Sequence, residues 1–225
     1  MKINYCLPIL NKTKEQVIKL INENREEYQY FEVWLDTIDG IDNIFVNKLV
    51  NTLGDKIIFL FHRGILKNPG IDPERKFQIL DLLDKTQAFL DLDLSETKEL
   101  DYIKNKKLKN NLIVSYHNYE ETPVDLTEII KNMDSYHPAI YKVATKCNYE
   151  TYALKLLLLQ QNLRIQNKRH IVLGMGEFGT ITRVYGTLWG NELIYAPFKK
   201  IEETAPGQLT KQELKKIMKI LVPST

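Results

Sequence analysis

Eight short apolar runs, separated by longer amphipathic segments, are the feature of this chain that restricts its fold most. The runs are Ile3–Ile9, Tyr30–Asp36, Lys56–His62, Ala88–Leu94, Asn111–His117, Ala139–Thr145, His170–Met175 and Leu193–Phe198. Each is rich in β-branched and aromatic residues and almost continuously apolar, as a parallel strand covered on both faces must be. Helical periodicity fills the gaps over Lys14–Glu27, Ile44–Leu53, Pro73–Lys85, Glu96–Lys107, Leu126–Met133, Tyr149–Leu163 and Thr180–Leu188, with a last helix over Lys211–Leu221. Thr210 followed by Glu213 has capping-box spacing for that last helix. Strict alternation predicts a parallel α/β protein, and eight repeats favour a closed (β/α)8 TIM barrel over an open doubly wound sheet. No Pro/Gly-rich break or low-complexity linker divides residues 1–225, so a single barrel domain is expected.

A dinucleotide-binding sheet is the alternative, because Gly174-Met175-Gly176-Glu177-Phe178-Gly179 fits G-x-G-x-x-G between a strand and a helix. It falls at the seventh strand instead of the first and lacks the later acidic residue at the usual distance, which sets that reading aside. The 31 basic and 29 acidic side chains leave a net charge of +2, which gives no reason to expect nucleic acid or a membrane surface as partner. The basic stretch Lys104–Lys109 reads as a solvated helix end. No stretch approaches the ~20 apolar residues that span a bilayer, and the run Cys6–Leu10 is too short for a signal peptide. The two cysteines, Cys6 and Cys147, form no CxxC and no metal-ligand cluster. A soluble, cytoplasmic protein is expected.

In a barrel, chemistry sits at the carboxyl ends of the strands. Lys142 lies mid-strand among apolar neighbours in Ala139-Ile140-Tyr141-Lys142-Val143-Ala144, where a lysine is costly unless paired or deprotonated. A desolvated neutral amine can attack a ketone to form a Schiff base. Lys146 shares its parity one layer higher, at the rim, where a solvated role is expected. His117 shares parity with Ser115 and Ile113 and can face inward at the catalytic end, where an imidazole suits proton transfer. Glu32, Trp34 and Asp36 share a face of the second strand, and Asp91 and Asp93 share a face of the fourth. Arg183, after the seventh strand, has the chemistry to clamp a carboxylate, or it is a surface helix arginine.

Four stretches resemble the type I 3-dehydroquinate dehydratases: Ile113-Val114-Ser115-Tyr116-His117-Asn118-Tyr119 with Thr122-Pro123; Tyr141-Lys142-Val143-Ala144; Gly174-Met175-Gly176 through Ile181-Thr182-Arg183; and Ala205-Pro206-Gly207-Gln208. A weaker fifth is Phe31-Glu32-Val33-Trp34-Leu35-Asp36. The resemblance implies a hydro-lyase of the shikimate pathway, and so of aromatic amino acid biosynthesis. Its catalytic pair would be Lys142, forming a Schiff base with 3-dehydroquinate, and His117, acting as general acid and base. It further implies that Arg183 holds the substrate carboxylate, that Thr204 and Gln208 contribute polar contacts, and that Glu32 meets substrate hydroxyls. No metal or organic cofactor is implied. A homodimer is an assembly common among relatives, and pairing with a shikimate dehydrogenase is left open.

The chain departs from the family pattern at several positions. Trp34 stands where the family has arginine on the second strand. His62 stands at a third-strand arginine position, with Arg63 one residue late, so that it faces the substrate only if a bulge or turn re-aims it. Leu66 falls near the glutamate that pairs with the histidine, which leaves Asp91 or Asp93 to orient His117. The chain begins at the first barrel strand, without the N-terminal hairpin of longer relatives. Each lost charge-assisted contact would cost about 1.5–3 kcal/mol if nothing compensates. The alternatives are a Schiff-base lyase for another hydroxy-ketone acid, with Trp34 reshaping the pocket, and a non-catalytic barrel relative.

Overall fold

The computed structural model describes residues 3–61 and 71–222. Strands β1 (Tyr5–Ile9), β2 (Tyr30–Trp34), β3 (Ile57–Leu60), β4 (Phe89–Asp93), β5 (Asn111–Asn118), β6 (Ile140–Lys146), β7 (His170–Met175) and β8 (Ile194–Tyr195) alternate with eight helices. These are α1 (Lys14–Asn24), α2 (Asn43–Leu53), α3 (Pro73–Leu82), α4 (Thr97–Lys106), α5 (Leu126–Asp134), α6 (Glu150–Ile165), α7 (Thr180–Trp189) and α8 (Lys211–Leu221). The ladders are parallel and run β7-β6-β5-β4-β3-β2-β1-β8. This is the expected (β/α)8 barrel.

The strands are apolar on both faces because each face meets a different core. Cys6, Ile58, Phe89, Ile113, Ile140, Ile171 and Leu193 fill the barrel interior. Alternate residues such as Leu7, Phe31, Phe59, Leu90, Val114 and Val172 pack outward against the helices. Helix starts follow the local capping chemistry. Thr13 and Thr210 form capping boxes with Gln16 and Glu213, and the Asp42 carboxylate accepts from Phe45 N at 2.7 Å.

The ring closes differently from a continuous ladder. No ladder joins β7 to β8 among the described residues; the Asn191 side chain does that work instead. Val172 N donates to Asn191 Oδ1 at 2.8 Å, and Asn191 Nδ2 donates to Val172 O at 2.9 Å. Glu192 N then donates to His170 O at 2.8 Å. A side-chain amide thus reproduces the two bonds that a neighbouring strand would make. Gly186 on α7 leaves room for it, since a Cβ there would stand 2.5 Å from Asn191 Nδ2.

Several boundaries differ from the sequence expectation. The eighth strand shrinks from Leu193–Phe198 to two residues; beyond it, Pro197 has no N–H to offer a ladder. The second strand stops at Trp34, because Leu35–Thr37 turns into a 3-10 helix with Thr37 Oγ1 donating to Trp34 O at 2.8 Å. That turn ends the strand alternation, so Asp36 does not continue the Glu32/Trp34 face. The third strand ends at Leu60, and His62, Arg63 and Leu66 lie outside the described residues. Helix α3 stops at Leu82, and Lys85 adopts a positive φ of 60°.

Candidate active site

A cavity of about 460 Å³, counting its open mouth, sits over the carboxyl ends of the strands. Its walls come from β2 (Glu32, Trp34), β3 (Leu60), β5 (His117), β6 (Lys142, Ala144), β7 (Leu173, Met175), β8 (Tyr195), α7 (Arg183) and the loop before α8 (Thr204, Ala205, Gln208).

Lys142 shares the inward face of β6 with Ile140 and Ala144, and its side chain is buried. Its Nζ donates to Asp91 Oδ2 at 2.6 Å and to Glu32 Oε1 at 3.3 Å, and stands 4.8 Å from the centre of the Tyr195 ring. Both carboxylates are themselves held. Asp91 Oδ1 accepts from Ser115 Oγ at 2.6 Å, and Glu32 Oε2 accepts from Trp34 Nε1 at 3.1 Å. Two anions at this range offset the cost of burying the ammonium. Nζ of Lys142 thus has two carboxylate acceptors within hydrogen-bond distance, either of which can take a proton from it.

His117 lies near the end of β5, on the strand beside Lys142, in the register Ser115↔Lys142. Its Nδ1 meets Asp93 Oδ2 at 2.9 Å, while Asp93 Oδ1 accepts from Ser95 N at 3.0 Å and Ser95 Oγ at 2.7 Å. With Asp93 ionised, and so only an acceptor, this bond puts the proton on Nδ1 and leaves Nε2 as the basic nitrogen. Tyr119 stacks on the imidazole with ring centres 6.1 Å apart and planes at 22°. The two carboxylates that share a face of β4 therefore divide their work, Asp91 to the lysine and Asp93 to the histidine.

Arg183 is buried at 2% exposure, not on the surface. One Nη2 bond reaches Pro206 O at a long 3.4 Å, and Nε has no hydrogen-bond partner among the described residues. Burial pulls its guanidinium down to about 10, opposed by the charge of Glu203. Its position follows from the glycines before it. A Cβ on Gly179 would stand 2.4 Å from the Gly174 carbonyl carbon, so these residues exist to let the end of β7 and the start of α7 touch. Thr182 Oγ1 closes the turn, accepting from Gly174 N at 2.6 Å and donating to Gly179 O at 2.7 Å. The loop Ala205-Pro206-Gly207-Gln208 docks on the same turn through Gly176 N to Pro206 O at 3.1 Å. Thr204 and Gln208 reach the cavity wall while bonding each other, Gln208 Nε2 to Thr204 Oγ1 at 2.9 Å and Thr204 N to Gln208 Oε1 at 2.9 Å.

Of the residues singled out from the sequence, Lys142, His117, Glu32, Arg183, Thr204 and Gln208 converge on this cavity, whereas His62 and Arg63 lie outside the described residues. Lys146 is exposed at the rim. Sequence reasoning missed Tyr195 and Asn191. A tyrosine of inward parity in the eighth apolar run was the available signal for Tyr195; nothing local marks an asparagine as a substitute strand.

A family model described as Type I 3-dehydroquinase matches residues 5–224. A 3-dehydroquinate dehydratase of Methanococcus vannielii is 28% identical, the match covering 96% of this chain and 99% of the relative. One of Coxiella burnetii is 30% identical, over 91% of this chain and 87% of the relative. The crystal structure of 3-dehydroquinate dehydratase from Geobacillus kaustophilus superposes with a TM-score of 0.80 at 22% identity, covering 98% of this chain and 91% of that one. A type I enzyme from Clostridium difficile, solved with covalently modified comenic acid, gives 0.75 at 21% identity, over 98% and 92%. At these identities the two solved structures speak for the fold.

Proposed function

Because the chain belongs to the type I 3-dehydroquinase family, we propose that it dehydrates 3-dehydroquinate to 3-dehydroshikimate through an imine on Lys142, with His117 as acid and base. The observation that carries this reading is the pairing of Lys142 with Asp91 and of His117 with Asp93 around one cavity.

In this mechanism Asp91 takes a proton from the Lys142 ammonium, and the freed amine adds to the ring ketone. The ketone oxygen leaves as water, carrying two hydrogens that began on nitrogen, and a protonated imine remains. Nε2 of His117 removes a proton from the carbon beside the imine, and the electron pair moves to nitrogen. Its return expels the neighbouring hydroxyl, to which His117 gives its proton, and a second water frees the enone. The imine itself accepts the electron pair, so the step calls on no cofactor. Arg183 supplies donors for the substrate carboxylate, and Thr204 and Gln208 flank it. The reading includes a small-molecule substrate, a cytoplasmic setting, and neither nucleic acid nor membrane as partner.

One observation favours a second reading. Both Glu32 oxygens already hold donors, from Lys142 and Trp34, so Glu32 has less to offer substrate hydroxyls. A lyase for another hydroxy-ketone acid is then the alternative. The test is the growth of enone ultraviolet absorbance from 3-dehydroquinate. Steady turnover that disappears in Lys142→Ala supports the first reading; no turnover at saturating substrate points to the second.

A further inference from the structure

Tyr195 occupies the polar centre of the barrel with its hydroxyl close to the Glu32 carboxylate but in no well-formed hydrogen bond among the described residues. The residue is 4% exposed, and its Oη has no hydrogen-bond partner among the described residues. A phenylalanine would fill nearly the same space, while an unsatisfied buried hydroxyl is a standing cost in the resting protein. The charged and titratable groups around it are Cys6 from β1, Glu32 from β2, Asp91 from β4, Lys142 from β6 and Arg183 from α7. Burial, then the charges of Glu32, Cys6 and Asp91, and the approach of the hydroxyl to the Glu32 carboxylate hold the phenol proton well above its ordinary range, so the group remains a donor.

Donor accounting gives this hydroxyl a purpose, on the premise of the imine mechanism above. In the resting site one ammonium serves two carboxylates, Asp91 at 2.6 Å and Glu32 at 3.3 Å. When a ketone and an ammonium condense to a protonated imine and water, two of the three nitrogen hydrogens leave in the water. A single N–H then remains on a nitrogen bonded to substrate. The Glu32 bond is the longer one and is lost first.

We propose that Tyr195 is a positioning residue whose hydroxyl is held in reserve for the covalent state, donating to Glu32 when Lys142 no longer can. The ionised Glu32 then stays beside the iminium, and its negative charge balances the cation through proton abstraction. The resting protein carries the unsatisfied hydroxyl, and the covalent intermediate gains the bond.

The experiment is Tyr195→Phe in the full chain. It is read by thermal midpoint, by kcat and KM for 3-dehydroquinate from pH 5 to 9, and by borohydride trapping of the adduct on Lys142. The expected result is an unchanged or raised midpoint, KM within about two-fold, and kcat lower on the order of ten-fold. A variant with native kcat overturns the proposal. So does a midpoint lower by several degrees, which would mean the hydroxyl is already bonded at rest. If the native chain traps no adduct, the imine reading itself fails; if it traps and the variant matches it throughout, only the role of Tyr195 fails.

Discussion

The two ends of the barrel each hold an arginine, and the two are treated in opposite ways. At the floor, Arg169 stands before β7 and grips Glu192 with two bonds, Nε at 3.0 Å and Nη2 at 2.8 Å. Tyr30 Oη donates to the same carboxylate at 2.9 Å, and the guanidinium lies 5.5 Å from the Phe89 ring centre. The Arg169 side chain is 48% exposed, and its bond to Glu192 raises its hold on the proton. At the mouth, Arg183 is buried, has one long bond to a backbone carbonyl among the described residues, and is pulled in the opposite direction by burial. A charge gripped by a carboxylate through two bonds serves structure. Under the proposed function, a buried guanidinium with an unpartnered Nε among the described residues offers its donors to the substrate. The same contrast separates the aromatic hydroxyls, Tyr30 bonded to Glu192 at the floor and Tyr195 beside Lys142 with no well-formed hydrogen bond among the described residues.

The comparison can be broken most severely at the mouth. Asp93→Asn keeps the shape but can no longer fix the proton on Nδ1 of His117, and kcat is expected to fall by on the order of 10²-fold or more. Steady-state kinetics on a variant of native circular dichroism check this; a loss under three-fold would mean that Asp93 does not orient the base. Arg183→Met should raise KM by on the order of 10²-fold, the loss of a charge-assisted clamp on carboxylate, with little change in thermal midpoint. A variant that loses stability and keeps KM would reverse the assignment.

The floor should answer the other way. Arg169→Met is expected to leave kcat and KM within about two-fold while costing about 1 kcal/mol in urea unfolding. The half-exposed guanidinium keeps the effect small. The smallest effect is in pH. Glu192 is held below the ordinary glutamate range, by its bond to Arg169 above all. Its contribution is therefore full above that ordinary range and is lost as pH falls through the depressed value. Glu192→Gln should flatten the acid side of the stability curve, and an unchanged slope would count against the pairing.

How legible these ends were in the sequence differs for a physical reason. The alternation of eight runs is set by local pattern, so the barrel and most helix starts could be read directly. Strand parity also brought Lys142, His117, Asp91 and Asp93 to one face, because inward direction follows from a period of two. Parity could not say which aspartate serves which partner, since that depends on the register between β4, β5 and β6. It failed at Asp36, where a 3-10 turn ends the alternation, and at the last strand, where Asn191 does a strand's work. Arg183 could not be distinguished from a surface arginine until the glycine turn had been placed in space.

The central claim is that Lys142 becomes covalently bonded to substrate. Reduction with borohydride in the presence of 3-dehydroquinate, followed by peptide mass analysis, tests it most directly. The account predicts inactivation with one reduced substrate-derived adduct on the peptide carrying Lys142, and none in Lys142→Ala. An adduct on Lys146 alone, or full activity surviving reduction with no adduct, would contradict it.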